Sequence, residues 1–200
     1  MNTGKKCVIG LLSLVCCVAT QRPAFAAIPP FEVLTNVEDG FESNRNSWGF
    51  VGTGQFYYNS GTAQTGYYSA QLKAPSAGTW AAVGRLVNVR APTCKTNIFV
   101  KSASGQLSGN LEVIDPATWT YIALKPFTIT SAQAGAWIPL TTGTWKVSAG
   151  RPPVYVRVAI GYVNGAETAY VDDMRTMCWR GSGSGFVVSQ KLTFAFGESF

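Results

Sequence analysis

The chain has 200 residues, with 16 Lys+Arg, 10 Asp+Glu and no histidine, a length of about one domain. The missing histidine excludes Ser-His-Asp and Cys-His nucleophiles and every His-ligated zinc or iron site. With 13% charged and 12% aromatic residues and 21 glycines, the composition excludes a disordered charged tail and reads as a sheet protein.

The first element is a leader. Lys5 and Lys6 precede an apolar run from Cys7 to Ala19, and Ala24-Phe25-Ala26 supplies a small-x-small cleavage pattern, so residues 1–26 read as a signal peptide. The run is too short for a transmembrane helix, which needs about 20 apolar residues. Cys16 and Cys17 raise a lipoprotein alternative, but Val15 precedes Cys16 where a lipobox wants a small residue. The expectation is a secreted protein, periplasmic or extracellular. Cleavage removes Lys5, Lys6 and Arg22, leaving 13 basic against 10 acidic groups, a net charge of +3. The basic residues are scattered singly, unlike the clustered stripe a nucleic-acid binder needs. Nucleic acid is therefore not an expected partner, and neither is an integral membrane span after cleavage.

Short alternating segments then follow between turn signals. Phe31 to Thr35 opens, Gly49 to Asn59 reads as a second strand, and Tyr67 to Lys73 places Tyr68, Ala70 and Leu72 on one side. Trp80 to Val89 and Thr96 to Ser102 come next. Leu111 to Ile114 and Trp119 to Leu124 flank Asp115-Pro116-Ala117, a hairpin turn. Trp137 to Val147, Val154 to Ile160 and Ala169 to Cys178 complete nine or ten strands. With no helical period longer than two turns, this spacing predicts an all-β, two-sheet antiparallel sandwich of jelly-roll topology over residues 27–180. Gly181 to Gly185 reads as a linker, and residues 186–200 as a Phe-rich tail, either an edge strand or a disordered end. Only Cys94 and Cys178 remain after cleavage. An even count in an oxidising compartment predicts one disulfide, and no CxxC spacing marks a redox site.

Three pieces occur in a telling order. They are Asp39-Gly40-Phe41-Glu42 followed by Trp48, then Gly66-Tyr67-Tyr68-Ser69-Ala70-Gln71-Leu72, and Ala169-Tyr170-Val171-Asp172-Asp173-Met174. The Thr-rich segment from Lys95 to Asp115 fits between the last two. In this the chain resembles carbohydrate-binding modules of families four, nine and twenty-two, over about residues 31–179. The resemblance implies a β-sandwich that binds a polysaccharide or oligosaccharide and often accompanies a glycoside hydrolase, although no catalytic domain is read within the 200 residues. It also implies a structural Ca²⁺ held by Glu42, Asp172 and Asp173, with Asp39 as a further ligand. Oxygen donors of this kind suit a hard cation, while the plainer reading is ordinary surface carboxylates.

Sugar rings stack on exposed aromatics while their hydroxyls take planar polar partners. Parity sets Trp119 and Tyr121 opposite Ile122 and Leu124, Arg157 opposite Val156 and Val158, and Glu112 opposite Leu111 and Val113. These four residues are the candidate ligand-binding set on a solvent-facing sheet. Trp80 is a further candidate whose face the pattern leaves open. For each aromatic, core packing is the competing reading. No carboxylate pair is marked by its surroundings as a glycosidase pair, and a histidine-free lyase using Tyr and Arg has only fold analogy behind it. The expected function is a secreted, non-catalytic carbohydrate-binding module. The alternative is a structural or adhesive surface protein that keeps the sandwich without a sugar site.

Overall fold

The computed structural model describes residues 32–42, 47–59, 61–103, 105–148, 153–161 and 166–180, with backbone only for 32–39. The segments read as signal peptide, linker and Phe-rich tail lie outside the described residues. Eleven strands are formed among the described residues, one or two more than the spacing suggests. In chain order they are β1 (Glu32–Asp39), β2 (Gly49–Gly52), β3 (Gln55–Asn59), β4 (Ser69–Ala74), β5 (Ala81–Val87) and β6 (Thr93–Ser102). They continue with β7 (Leu107–Asp115), β8 (Thr120–Ile129), β9 (Trp137–Lys146), β10 (Val154–Ile160) and β11 (Glu167–Arg180).

The expected all-β sandwich is present, as two antiparallel sheets in a jelly roll. One sheet runs β3-β4-β11-β6-β9, with β1 pairing the second half of β11 along the edge whose first half takes β4. The other runs β2-β5-β10-β7-β8. The physical cause is period-two patterning. Every second residue of β6 is buried, from Cys94 through Ile98 and Val100 to Ser102. In β10, Val154, Val156, Val158 and Ile160 point inward. The two inner faces interdigitate into one core that also holds Leu72, Val83, Leu111, Val171 and Met174.

The segment read as one strand from Gly49 to Asn59 is two strands in different sheets. Gly52, Thr53 and Gly54 carry the chain across. A Cβ at Gly52 would stand 2.3 Å from the Trp80 carbonyl oxygen, and one at Gly54 2.1 Å from that of Lys73. Only glycine allows this approach, and the Thr53 and Gly54 N–H groups donate to the Trp80 carbonyl at 2.9 and 2.8 Å.

The loop before β2 closes the sandwich. Phe41, at φ +64°, stacks on Trp48 with centroids 4.2 Å apart, and both rings are buried. Cys94 and Cys178 form the expected disulfide. They are register partners on the adjacent strands β6 and β11, so the bond staples two strands that already share a ladder. It does not join distant layers.

Candidate functional site

The outward face of the five-stranded sheet carries the candidate residues in three rows, each read across hydrogen-bonded partners. The first row holds Leu86, Tyr155, Ile114 and Tyr121. The second holds Gly49, Gly84, Arg157, Glu112 and Leu124. The third holds Val51, Ala82, Ala159, Asn110 and Pro126. Apolar rings thus line one end, a charged pair sits in the middle, and small side chains leave the third row low.

Trp119 reaches this face from the β7–β8 turn. Asp115 builds the turn: its Oδ1 accepts from the Ala117 N–H at 3.0 Å and its carbonyl from the Trp119 N–H at 2.8 Å. Trp119 adopts φ +55°, an uncommon setting for a bulky residue. Its ring is 61% exposed and meets Tyr155 edge-on, with centroids 6.2 Å apart. Tyr121 is 53% exposed. Trp119, Tyr121 and Tyr155 form an aromatic cluster around the buried Ile114.

The register corrects one part of the parity reading. Ile114 pairs with Tyr121 and Val113 with Ala123, so Ile122 is the extra residue of a bulge. The bulge reverses parity downstream. Ile122 packs toward the core, whereas Leu124 stands exposed beside Glu112 on the same face as Tyr121.

Glu112 requires a second correction. Its strand face is the predicted one, but the side chain is fully buried and is no solvent-facing hydroxyl partner. Its Oε2 accepts from Arg157 Nε across the β7–β10 pair, with the arginine side chain 11% exposed. Glu112 Oε1 is buried and accepts no hydrogen bond from the described residues. The Arg157 guanidinium also lies 5.7 Å from the centre of the Trp80 ring. Trp80 is half-buried and sits with Ala82, Gly84 and Leu86 on the outward face, settling what the sequence left open. Tyr155 has a raised pKa, because burial outweighs the lowering by Arg157, so its hydroxyl stays neutral at physiological pH. The sequence reading missed Tyr155, although it alternates with Val154 and Val156 in step with Arg157.

The acidic candidates gather around the loop before β4, where β11 passes from pairing with β4 to pairing with β1. Glu42 Oε1 accepts from the Tyr67 and Tyr68 N–H groups at 2.9 and 2.7 Å. Asp172 Oδ2 accepts from Gln64 N–H at 2.7 Å, and Asp173 Oδ1 from the Thr65 hydroxyl at 2.7 Å. Asp172 is fully buried, and burial followed by the neighbouring Asp173 charge pushes its carboxyl up to about 7. Asp39 ends β1 opposite Met174. A Cβ at Gly40 would stand 3.0 Å from Asp173 Oδ1, 3.5 Å from Asp172 Oδ1 and 3.9 Å from Glu42 Cγ. The three carboxylate side chains therefore surround one glycine, in an oxygen-only donor set that fits a hard cation in kind. Among the described residues, however, no three acidic side chains already stand in the mutual geometry of a metal cage. Backbone N–H groups donate to Glu42 and Asp172, and the Thr65 hydroxyl donates to Asp173, tying the 64–68 loop to the Gly40–Glu42 turn and to the last strand.

No family model matches the chain, and no curated protein matches it in sequence. Its fold is shared with solved structures. The C-terminal family 22 carbohydrate-binding module of Clostridium thermocellum Xyn10B aligns over 75% of this chain and 96% of its own, at 17% identity and a TM-score of 0.53. The two chains share the β-sandwich fold. The N-terminal endo-1,4-β-D-xylanase 10B of the same organism, whose family 22 and GH10 modules were solved with xylohexaose, aligns over 74% of this chain and 29% of its own, at 18% identity and a TM-score of 0.56. The xylan-binding first family 22 domain of Paenibacillus barcinonensis Xyn10C aligns over 72% and 93%, at 14% identity and a TM-score of 0.54. At these identities the likeness concerns the fold alone.

Proposed function

We propose that this protein is a secreted, non-catalytic module that binds a polysaccharide chain on the outward face of its five-stranded sheet. The observation that carries this reading is the aromatic cluster of Trp119, Tyr121 and Tyr155 beside the Arg157–Glu112 pair. Rings at the edge offer stacking surfaces for pyranose C–H faces. Arg157 and Asn110, from the middle and third rows, offer hydroxyl partners beside the rings. The absence of catalysis is supported by the acid count on these strands. Glu112 is ion-paired and Asp115 is committed to its turn, whereas a glycosidase needs two free carboxyls flanking the sugar. The xylan-binding neighbours support β-1,4-xylan as the first ligand to test. As a further part of this proposal, Glu42, Asp172, Asp173 and Asp39 would hold a structural Ca²⁺ between the first loop and the last strand.

The test is titration of xylohexaose, cellohexaose and insoluble xylan against wild type and Trp119→Ala, with melting temperatures measured in parallel. Truncating a stacked ring should weaken binding by on the order of 2 kcal/mol, about 30-fold, while the exposed position leaves the melting temperature near wild type. Undiminished binding by Trp119→Ala, or binding to none of the three by wild type, would overturn the reading.

A further inference from the structure

The six-stranded sheet carries an aromatic row of its own on the face turned away from the core and from the five-stranded sheet. Across β3, β4, β11, β6 and β9 the register aligns Tyr57, Gln71, Tyr170, Lys101 and Trp137. Their strand neighbours Phe56, Tyr58, Leu72, Val100, Val171 and Ile138 take the core face, so all five residues of the row look outward. Tyr57 is 44% exposed and the other four are half-buried. Three rings therefore recur at every second strand, about 9.5–10 Å apart at the normal strand spacing. That interval is comparable to two sugars of an extended β-1,4-linked chain.

The residues between the rings set the chemistry. Gln71 Nε2 donates to the Tyr170 hydroxyl at 3.1 Å and steadies that ring. Lys73 Nζ lies 5.1 Å from the centre of Tyr57, and Lys101 Nζ lies 5.9 Å from that of Trp137. An ammonium thus stands beside each outer ring, and the row contains no carboxylate. Sheet twist decides the shape of the occupant. Neighbouring strands rotate by about 20–25°, so each ring is turned by about 40–50° from the next. A flat crystalline surface cannot meet all three rings, whereas a single chain that twists at its linkages can.

We propose that this face is a second glycan-binding surface, for one extended chain bearing uronate groups. Its sugars stack on Tyr57, Tyr170 and Trp137, and its carboxylates pair with Lys73 and Lys101. The surface lies on the opposite side of the sandwich from the Trp119 face and does not depend on it. A molecule using both faces bridges two polysaccharide chains.

The experiment titrates the full chain with xylo-oligosaccharides carrying 4-O-methylglucuronate and with neutral xylohexaose. The variants are Tyr57→Ala/Trp137→Ala, Lys73→Glu/Lys101→Glu and Trp119→Ala. The acidic ligand should retain a binding event in Trp119→Ala, and raising the salt concentration should weaken that event. Either double variant should weaken it by about tenfold or more, leaving neutral xylohexaose binding to the Trp119 face unchanged. The charge reversal tests the idea even if the ring deletions perturb the sheet, because both lysines are partly exposed. Unchanged acidic-ligand binding in both double variants, or loss of all binding in Trp119→Ala alone, would overturn the proposal. So would equal affinity of this face for the neutral ligand.

Discussion

Replacing Arg157 with methionine isolates the role of the charged pair in the middle of the five-stranded sheet's outward face. The substitution keeps the stem that crosses Gly84 and removes only the guanidinium. It leaves Glu112 with a fully buried carboxylate, one oxygen of which already lacks a donor. Breaking a buried pair by removing one partner costs about 3–5 kcal/mol. For a domain of this size each kcal/mol moves the melting temperature by about 2–4 °C, so Arg157→Met should melt roughly 6–20 °C below wild type. The double change Glu112→Leu/Arg157→Met removes both charges together and should recover most of the loss, since an apolar replacement of a buried pair is often neutral or better. A double-mutant cycle by calorimetry, with Glu112→Leu as the other single, should give a coupling of about 2 kcal/mol or more. Additive effects, or an Arg157→Met protein melting within 2 °C of wild type (about one kcal/mol or less), would show that the pair does not organise this face.

Three further outcomes are expected. At φ +55°, Trp119→Gly should be more stable than Trp119→Ala by about 1 kcal/mol, the reverse of the usual order, because only glycine occupies that region without a steric cost; paired thermal melts check this. Reducing Cys94–Cys178, which closes an 84-residue separation, should cost on the order of 4 kcal/mol in the chain-entropy model; non-reducing peptide mapping that found both thiols free in exported protein would contradict the bond. Glu42→Ala should lower the melting temperature with or without calcium, because the Tyr67 and Tyr68 N–H groups lose their acceptor; a wild-type melting temperature that rises with calcium and falls with chelator, flat in the variant, identifies the metal, and an unresponsive wild type removes it from the proposal.

Much of this molecule was legible in its residue pattern, because burial on one sheet face forces a period of two. The alternation of Val154, Val156, Val158 and Ile160 was enough to place Arg157 on the outer face, and Leu111 and Val113 did the same for Glu112. The spacing of nine or ten alternating segments between turn signals was enough to assign the sandwich. Pairing was not legible, because it is decided by contacts between segments far apart in sequence. The bulge at Ile122 depends on where β8 meets β7, and it alone turns Leu124 outward. The crossing at Gly52 to Gly54 depends on the Trp80 and Lys73 carbonyls, so one apparent strand becomes two. The burial of Glu112 depends on Arg157, 45 residues away. The row from Tyr57 to Trp137 exists only after five strands take their register. Parity within a strand is a local property of the backbone, whereas the identity of the neighbour across the ladder is a property of the whole fold.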